Sequence, residues 1–125
     1  GAMHSGIDFK GAYGSPIFAA AEGRVTFAGW KSGYGKVVEV THATGLVTRY
    51  AHMSRIDVRR GDGVEAGATL GGLGSTGRST GPHLHFEVRL NNRAVNPRPF
   101  LETAPDVLEE ARRTGAPRRS PESGE

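Results

Sequence analysis

Two strand-like runs flank a short turn in Lys36-Val37-Val38-Glu39-Val40-Thr41-His42-Ala43-Thr44-Gly45-Leu46-Val47-Thr48-Arg49-Tyr50-Ala51. The first run alternates valine with polar residues, and the second is rich in β-branched and aromatic residues, a composition that favours strands. Ala43-Thr44-Gly45 between them is typical of a tight turn. Since strands joined by so short a connection pair antiparallel, this stretch predicts a β-hairpin.

Similar runs lie on both sides of this hairpin, and glycine-rich turns separate them. The predicted strands are Pro16–Ala20, Arg24–Lys31, Lys36–His42, Leu46–Ala51, Thr69–Leu73 and Leu84–Leu90. Asn91-Asn92 predicts a two-residue hairpin turn into Arg93–Val95, because Asn tolerates the left-handed backbone conformation that such turns require. Helical periodicity is almost absent before Pro97, so the chain is predicted to be an antiparallel all-β domain.

The character of the sequence changes after Leu101. Ala104–Arg113 has a helix-forming composition with acidic residues early and arginines late, an order that the helix dipole favours. We therefore predict a short C-terminal helix within residues 102–114 and a flexible tail over residues 115–125. At the other end, residues 1–3 (Gly-Ala-Met) resemble the remnant of a removed tag, so the natural chain is expected to continue upstream.

Composition narrows the classes of function. The 125 residues fit one domain with a small core, and without cysteine any metal has to be held by imidazole and carboxylate. The formal net charge of +3 suits an acidic polymer as partner, or is ordinary surface charge. No apolar run approaches the roughly 18–20 residues of a membrane span. Gly71–Gly81 lacks the lysine and the spacing of a phosphate-binding loop, which argues against nucleotide binding.

Metal-competent side chains occur at even spacing near both ends of the domain. In His4-Ser5-Gly6-Ile7-Asp8, His4 and Asp8 would share one face of an extended strand, as would His83 and His85 in His83-Leu84-His85. Three imidazoles and a carboxylate are the ingredients of a zinc site. By spacing alone, both His83 and His85 are candidate ligands of the same ion.

Three further side chains are ambiguous on sequence alone. His42 and His52 each end a strand pattern without a nearby partner, and a lone histidine is usually structural. Glu87 shares the strand face of His83 and His85. It is either a carboxylate that orients an imidazole or a surface charge, and the sequence does not decide between the two.

Several separated motifs, taken in order, point to one family. They are His4-x-Gly6-x-Asp8, Tyr50-Ala51-His52, Gly74-Ser75-Thr76-Gly77-x-Ser79-x-Gly81-Pro82-His83-Leu84-His85-Phe86-Glu87, and the closing Asn96-Pro97 and Phe100-Leu101. In this order they closely resemble the M23 (LytM/lysostaphin-type) zinc metallopeptidases, which are peptidoglycan endopeptidases. The resemblance implies a peptidase domain over residues 4–101. That domain would lack the segment that normally precedes the first zinc histidine in the family.

The resemblance also implies a fold and a division of roles. It implies antiparallel sheets packed as a small sandwich or barrel-like hybrid, with a groove that holds one zinc ion. The family's ligands fall on His4, Asp8 and His85, which leaves a fourth position for water. Its two catalytic histidines fall on His52 and His83.

The implied activity is hydrolysis of peptide bonds in peptidoglycan stems or cross-links by a metal-activated water. The implied partner is a peptidoglycan peptide, and the implied location is the bacterial cell envelope, in the periplasm or outside the cell. An inhibitory or targeting domain upstream is a further expectation.

Two other functions remain as alternatives. Degenerate members of the family act as non-catalytic envelope modules that bind or activate a cell-wall amidase, but they usually lose zinc ligands. All five of the family's histidine and aspartate positions are filled here, which favours the enzyme. A nucleic-acid-binding β-domain would be expected to carry an interleaved aromatic pattern that this sequence lacks.

Overall fold

A computed structural model describes residues 6–103 and 107–108 of the chain. This part contains nine strands and one short helix. They are β1 Ile7–Lys10, β2 Pro16–Phe18, β3 Gly23–Lys31, β4 Gly35–Thr41, β5 Val47–Ile56, β6 Gly63–Val64, β7 Thr69–Leu73, β8 His83–Leu90, β9 Arg93–Val95 and α1 Arg98–Thr103. The described residues include no helix with the length and hydropathy needed to cross a bilayer.

The strands form one continuous antiparallel sheet in the order β1-β8-β5-β4-β3-β6. Strand β8 holds the functional end of the sheet together, since its first half pairs with β1, its second half with β9, and most of its length with β5. The prediction of an antiparallel all-β domain is confirmed.

A second layer is formed where the long strand β5 leaves its partner β8. Residues Met53–Ile56 of β5 pair with β7, and β7 pairs in turn with β2. This brings the β2–β7 ribbon over the sheet, where both layers bury apolar side chains in a common core. Members of that core with no exposed surface include Ile17, Val38, Tyr50, Leu70, Leu73 and Phe86.

The opposite face of the sheet carries the polar residues. Because side chains alternate along a strand, the neighbours of core residues point away from the core. Glu39, Arg49 and Glu87 are cross-strand partners on β4, β5 and β8, and they form a charged row across this face. We call this surface the groove face. It also presents the side chains of Asp8, His83 and His85 discussed below.

The largest differences from the predicted boundaries lie at β5 and at the helix. Strand β5 continues past Ala51 to Ile56, so His52 lies inside a strand. The helix spans Arg98–Thr103, earlier than predicted. Pro99 falls in its first turn, where helices need no backbone donor, and the Asn96 side chain accepts a hydrogen bond from the Arg98 N–H.

Most of the predicted helix and tail, residues 104–106 and 109–125, lies outside the described residues. Val107 and Leu108 are described and buried, and Leu108 forms an isolated β-bridge with Ile17 in place of a helical turn. These two residues lie beside β2, where the Phe18 N–H donates to the Val107 carbonyl at 2.8 Å.

The role of His42 is structural. It is buried, and its Nδ1 lies 2.7 Å from the Glu22 carbonyl, which can only accept, so Nδ1 carries the proton. Nε2 then accepts from Thr48 Oγ1 at 2.9 Å, and that oxygen accepts in turn from the Tyr50 hydroxyl at 2.9 Å. The Ala20 N–H donates to the Tyr50 oxygen and is the last member of this series of hydrogen bonds. The donor and the acceptor of each hydrogen bond in this buried series are therefore fixed.

Candidate active site

The register between β1 and β8 brings Asp8 beside the two histidines of the His83-Leu84-His85 motif. Asp8 lies directly opposite His85, and Lys10 lies opposite His83. Residues paired in this way point to the same face, so Asp8, His83 and His85 converge on the groove face. The even spacing of His83 and His85 therefore has its predicted geometric consequence, and the pairing of β1 with β8 adds Asp8 to the same face. His4 lies outside the described residues.

The tightest contact joins His85 to Asp8. His85 Nδ1 lies 2.8 Å from Asp8 Oδ1, while His83 Nε2 lies 3.7 Å from the same oxygen. Asp8 is 61% exposed, whereas the side chains of His83 and His85 are mostly covered. The Asp8 carboxylate therefore lies on the solvent side of the site, and the two imidazoles lie on its protein side.

His52 joins this cluster from strand β5. Its ring centroid is 4.9 Å from that of His83 and 6.1 Å from that of His85. The backbone of His52 has φ 62°, a left-handed conformation unusual for a non-glycine residue, and its N–H donates to the Tyr34 carbonyl at 2.8 Å. This local irregularity in β5 brings the ring beside the β8 histidines.

Backbone carbonyls select the same tautomer for both expected catalytic histidines. His52 Nδ1 lies 2.7 Å from the Thr76 oxygen, and His83 Nδ1 lies 3.0 Å from the Gly81 oxygen. Since a carbonyl can only accept, each Nδ1 carries a proton, and in the neutral ring Nε2 then has the lone pair. Both rings are thus held in a form that can accept a proton at Nε2.

Burial lowers the pKa of His52, and the neighbouring His83 and His85 add to this against the opposing effect of the Thr76 hydrogen bond. The ring is therefore neutral at near-neutral pH. A neutral ring suits a general base, which has to be free of that proton before it takes one from the reacting group.

Glu87 is the residue whose role the sequence left open, and the structure resolves the alternatives. Its side chain has no exposed surface, and its Oε2 lies 2.8 Å from His85 Nε2. A surface charge is excluded. Burial alone would raise the pKa of Glu87, but hydrogen bonds from His85, Tyr34 and Arg89 and the charge of Arg49 together lower it. The hydrogen bond to Glu87 is also the main cause that raises the pKa of His85, with Asp8 adding to it against the effect of burial.

Sequence reasoning missed two residues that shape the site. Thr76 binds His52 through its carbonyl, and its hydroxyl donates to the Met53 carbonyl at 2.6 Å. Tyr34 donates a hydrogen bond from its hydroxyl to Glu87 at 2.9 Å, and its ring is tilted by 41° to the His85 ring with the centroids 5.9 Å apart. Thr76 lies within the motif that begins at Gly74, and Tyr34 lies between Gly33 and Gly35, but neither position indicates these contacts.

Among residues 6–103 and 107–108, no three His, Asp or Glu side chains are arranged as a complete metal-binding group. The two expected ligands in this part, Asp8 and His85, nevertheless offer a suitable pair of atoms. Nε2 of His85 donates to the acceptor-only carboxylate of Glu87, so a neutral His85 ring keeps a lone pair on Nδ1. That lone pair and the Asp8 oxygen face each other at 2.8 Å, an arrangement that needs a proton or a metal cation between them.

Comparison with known proteins gives a consistent result. The model of peptidase family M23 matches residues 2–97. The chain is 45% identical over 107 residues to DD-carboxypeptidase/endopeptidase Mpg of Neisseria meningitidis serogroup B, covering 86% of this chain and 25% of that protein. It is 41% identical over 95 residues to the peptidoglycan DD-endopeptidase ShyC of Vibrio cholerae, covering 76% and 22%. Glycyl-glycine endopeptidase ALE-1 of Staphylococcus capitis is 40% identical over 110 residues, covering 83% and 30%.

Solved structures of similar chains agree with the fold. The catalytic domain of lysostaphin from Staphylococcus simulans aligns with a TM-score of 0.77 at 39% identity, over 80% of each chain. A zinc-containing peptidase from Vibrio cholerae aligns with a TM-score of 0.70 at 38% identity, over 74% of this chain and 28% of the other. The chain spans only about a quarter of the length of the first curated relatives it matches.

Proposed function

The chain belongs to peptidase family M23, and we propose on that premise that it is a zinc-dependent endopeptidase that hydrolyses peptide bonds in the stems or cross-links of peptidoglycan. The observation that carries the proposal is the convergence of Asp8, His85, His83 and His52 on one face of the sheet, with Nδ1 of His85 facing Asp8 and Nδ1 of His52 and His83 held by backbone carbonyls. The names of the relatives support the substrate, since they include a peptidoglycan DD-endopeptidase.

His4, Asp8 and His85 are proposed to hold one zinc ion. The facing lone pairs of His85 Nδ1 and Asp8 Oδ1 fit a divalent cation, and imidazole and carboxylate are ligands that zinc accepts. A zinc ion bound there would polarise the scissile carbonyl and make water nucleophilic at neutral pH.

His52 and His83 are proposed to move the protons. Each ring is anchored through Nδ1 to a backbone carbonyl, so Nε2 is available to take the proton of the attacking water. The protonated ring can then hydrogen-bond the oxygen that develops negative charge and deliver a proton to the leaving amine. The two rings lie close enough to share these tasks.

The bond to test first is the peptide cross-link. The relatives named DD-endopeptidase or DD-carboxypeptidase/endopeptidase include the 45% identical protein, whereas the glycyl-glycine endopeptidase is 40% identical. This substrate supports a location in the bacterial cell envelope, in the periplasm or outside the cell.

The proposed function is tested by mass spectrometry of muropeptides released from purified sacculi of defined cross-link type. We expect cross-linked dimers to be converted to monomers, the reaction to stop with a chelator, and zinc to restore it. Metal analysis should give about one zinc per chain. Absence of any new muropeptide with the zinc-loaded protein on all cross-link types, or cleavage that the chelator does not affect, would contradict the proposal.

A further inference from the structure

Glu87 is a buried carboxylate with four donors around it. Its Oε2 accepts from His85 Nε2 at 2.8 Å and from the Tyr34 hydroxyl at 2.9 Å. Its Oε1 accepts from Arg89 Nη1 at 2.6 Å and from Arg49 Nη1 at 3.3 Å. An ionised carboxylate can accept all four hydrogen bonds. In the neutral acid, the O–H would point at one of the four donors and could not accept from it. The surroundings therefore fit the ionised form only.

The two arginines are themselves fixed by other parts of the sheet. Arg49 Nε donates to Glu39 at 2.6 Å, and its guanidinium lies over the Tyr34 ring at 4.7 Å. Arg89 Nη2 donates to the Asn92 carbonyl in the β8–β9 turn at 3.0 Å. Each guanidinium therefore has a second partner beside Glu87. A buried carboxylate held by so many partners has little freedom to move.

This arrangement has a consequence for His85. The carboxylate can only accept, so His85 has to carry a proton on Nε2, and the neutral ring then has its lone pair on Nδ1. Nδ1 is the atom that lies 2.8 Å from Asp8 Oδ1. We propose that Glu87 is a positioning residue, which holds His85 as the Nε2–H tautomer and directs Nδ1 to the metal shared with Asp8. This inference rests on the zinc site of the proposed function, but not on peptidoglycan as the substrate.

The charge of Glu87, and not only its shape, is required by this geometry. A glutamine in its place has one accepting oxygen and one donating NH₂ group. If the oxygen faces His85 and Tyr34, the NH₂ group meets the donors of Arg49 and Arg89. If the group is turned the other way, the NH₂ meets His85 Nε2 and favours the tautomer with its proton on Nδ1.

Glu87→Gln is therefore the test variant, and Glu39→Gln is its matched control. Glu39 is also a mostly covered carboxylate in an ion pair with Arg49, but its contact is to the arginine and not to His85. Zinc affinity is measured on the full chain by competition with a chromophoric chelator, and thermal melting reports stability separately. We expect Glu87→Gln to weaken zinc binding by about 10–100-fold, while Glu39→Gln stays within about threefold of the parent. An equal loss in both variants, or a loss in neither, would overturn the proposal.

Nitrogen-15 NMR of the His85 ring supplies the readout that a purely structural role would not move. In the zinc-loaded parent we expect a protonated Nε2 and a metal-shifted Nδ1, and in Glu87→Gln a population shifted away from Nε2–H. Coordination of zinc through Nε2 in the parent would refute the assignment even if the variant failed to fold. Neither readout needs a substrate, so a chain that binds zinc in this way but leaves sacculi intact would contradict the proposed function and not the role of Glu87.

Discussion

The carbonyl oxygen of Thr76 lies 2.7 Å from Nδ1 of His52, so a loop residue fixes the orientation of an expected catalytic ring. The loop is fixed in turn by the Thr76 hydroxyl, which donates to the Met53 carbonyl at 2.6 Å and accepts from the Lys36 N–H at 3.0 Å. One threonine thus connects β4, β5 and the loop before β8. The position of His52 depends on a side chain that takes no part in the chemistry.

Replacement of Thr76 by valine should therefore reduce activity. Valine keeps the shape of threonine but leaves the Met53 carbonyl and the Lys36 N–H without their partner, so the loop and the carbonyl that it presents to His52 should shift. A displacement well below 1 Å would lower kcat/KM by roughly 10–100-fold, with zinc content unchanged. Steady-state cleavage of a cross-linked muropeptide and metal analysis measure the two effects.

Two variants serve as controls for this prediction. Thr76→Ser keeps the hydroxyl and should restore most of the activity. Thr80→Val makes the same change at an exposed position of the same loop and should leave kcat/KM close to that of the parent. Loss of activity in Thr80→Val, or none in Thr76→Val, would show that the hydroxyl does not position His52.

The turn between β3 and β4 offers a second test of the same junction. Gly33 and Gly35 both have left-handed backbone, with φ of 83° and 75°. A Cβ on Gly33 would meet nothing within 4 Å, whereas a Cβ on Gly35 would collide with the backbone of Thr76. Gly33→Ala should therefore lower the free energy of unfolding by only about 1–2 kcal/mol, the cost of a left-handed backbone for a residue other than glycine.

Gly35→Ala should lower the free energy of unfolding by the same amount and by a further roughly 1–3 kcal/mol from the collision. It should also lower kcat/KM, because Thr76 is displaced. Urea unfolding and cleavage assays on both variants make the comparison. If the two alanine variants were equally stable and equally active, the close approach of Gly35 to Thr76 would have no functional weight.

Local patterns in the sequence predict a large part of this fold. The alternation in β4, β5 and β8 and the asparagine turn before β9 depend on neighbours along the chain, and those strands form near the predicted positions. The even spacing of His83 and His85 likewise places both rings on one face. Such features can be read from the sequence because the residues that decide them are close together in it.

The parts that were not predicted depend on distant pairings. Glu87 is buried because Tyr34 and Arg49, 53 and 38 positions away, contact it across the sheet. His52 joins the site through a left-handed backbone angle inside β5 and through the Thr76 carbonyl. The motif resemblance indicated a catalytic role for His52, but spacing alone gave it no partner. Composition likewise cannot show that the chain after α1 returns to pair with Ile17.

The two histidines of the HxH motif should differ when each is replaced by alanine. His83→Ala should keep zinc bound but lower kcat/KM by about 10²–10⁴-fold, because His83 is proposed to move protons and not to bind the ion. His85→Ala should lose zinc, because it removes the Nδ1 that faces Asp8. Metal analysis after dialysis, together with the muropeptide assay, separates the two outcomes. Loss of zinc in His83→Ala with retention in His85→Ala would reverse the roles.

Alkaline pH should weaken the fold through Tyr50. Burial raises the pKa of Tyr50 to about 12, from 10.0 for an ordinary tyrosine. The unfolded chain therefore loses this proton at lower pH than the folded one, so the contribution of Tyr50 is complete below pH 10 and is lost as the pH rises from 10 to about 12. Two pKa units correspond to about 3 kcal/mol of unfolding free energy.

Tyr50→Phe removes the ionising hydroxyl and so isolates its contribution to the free energy of unfolding. The variant should be less stable at pH 7 by about 1–3 kcal/mol, because the Ala20 N–H and Thr48 Oγ1 lose the hydroxyl that links them. Between pH 10 and 12, however, it should lose less stability than the parent, so the gap between the two should narrow as the pH rises. Urea unfolding at a series of pH values measures this, with Tyr13→Phe, at an exposed tyrosine, as the control. A gap that stayed constant across this range would mean that the buried hydroxyl does not govern alkaline unfolding.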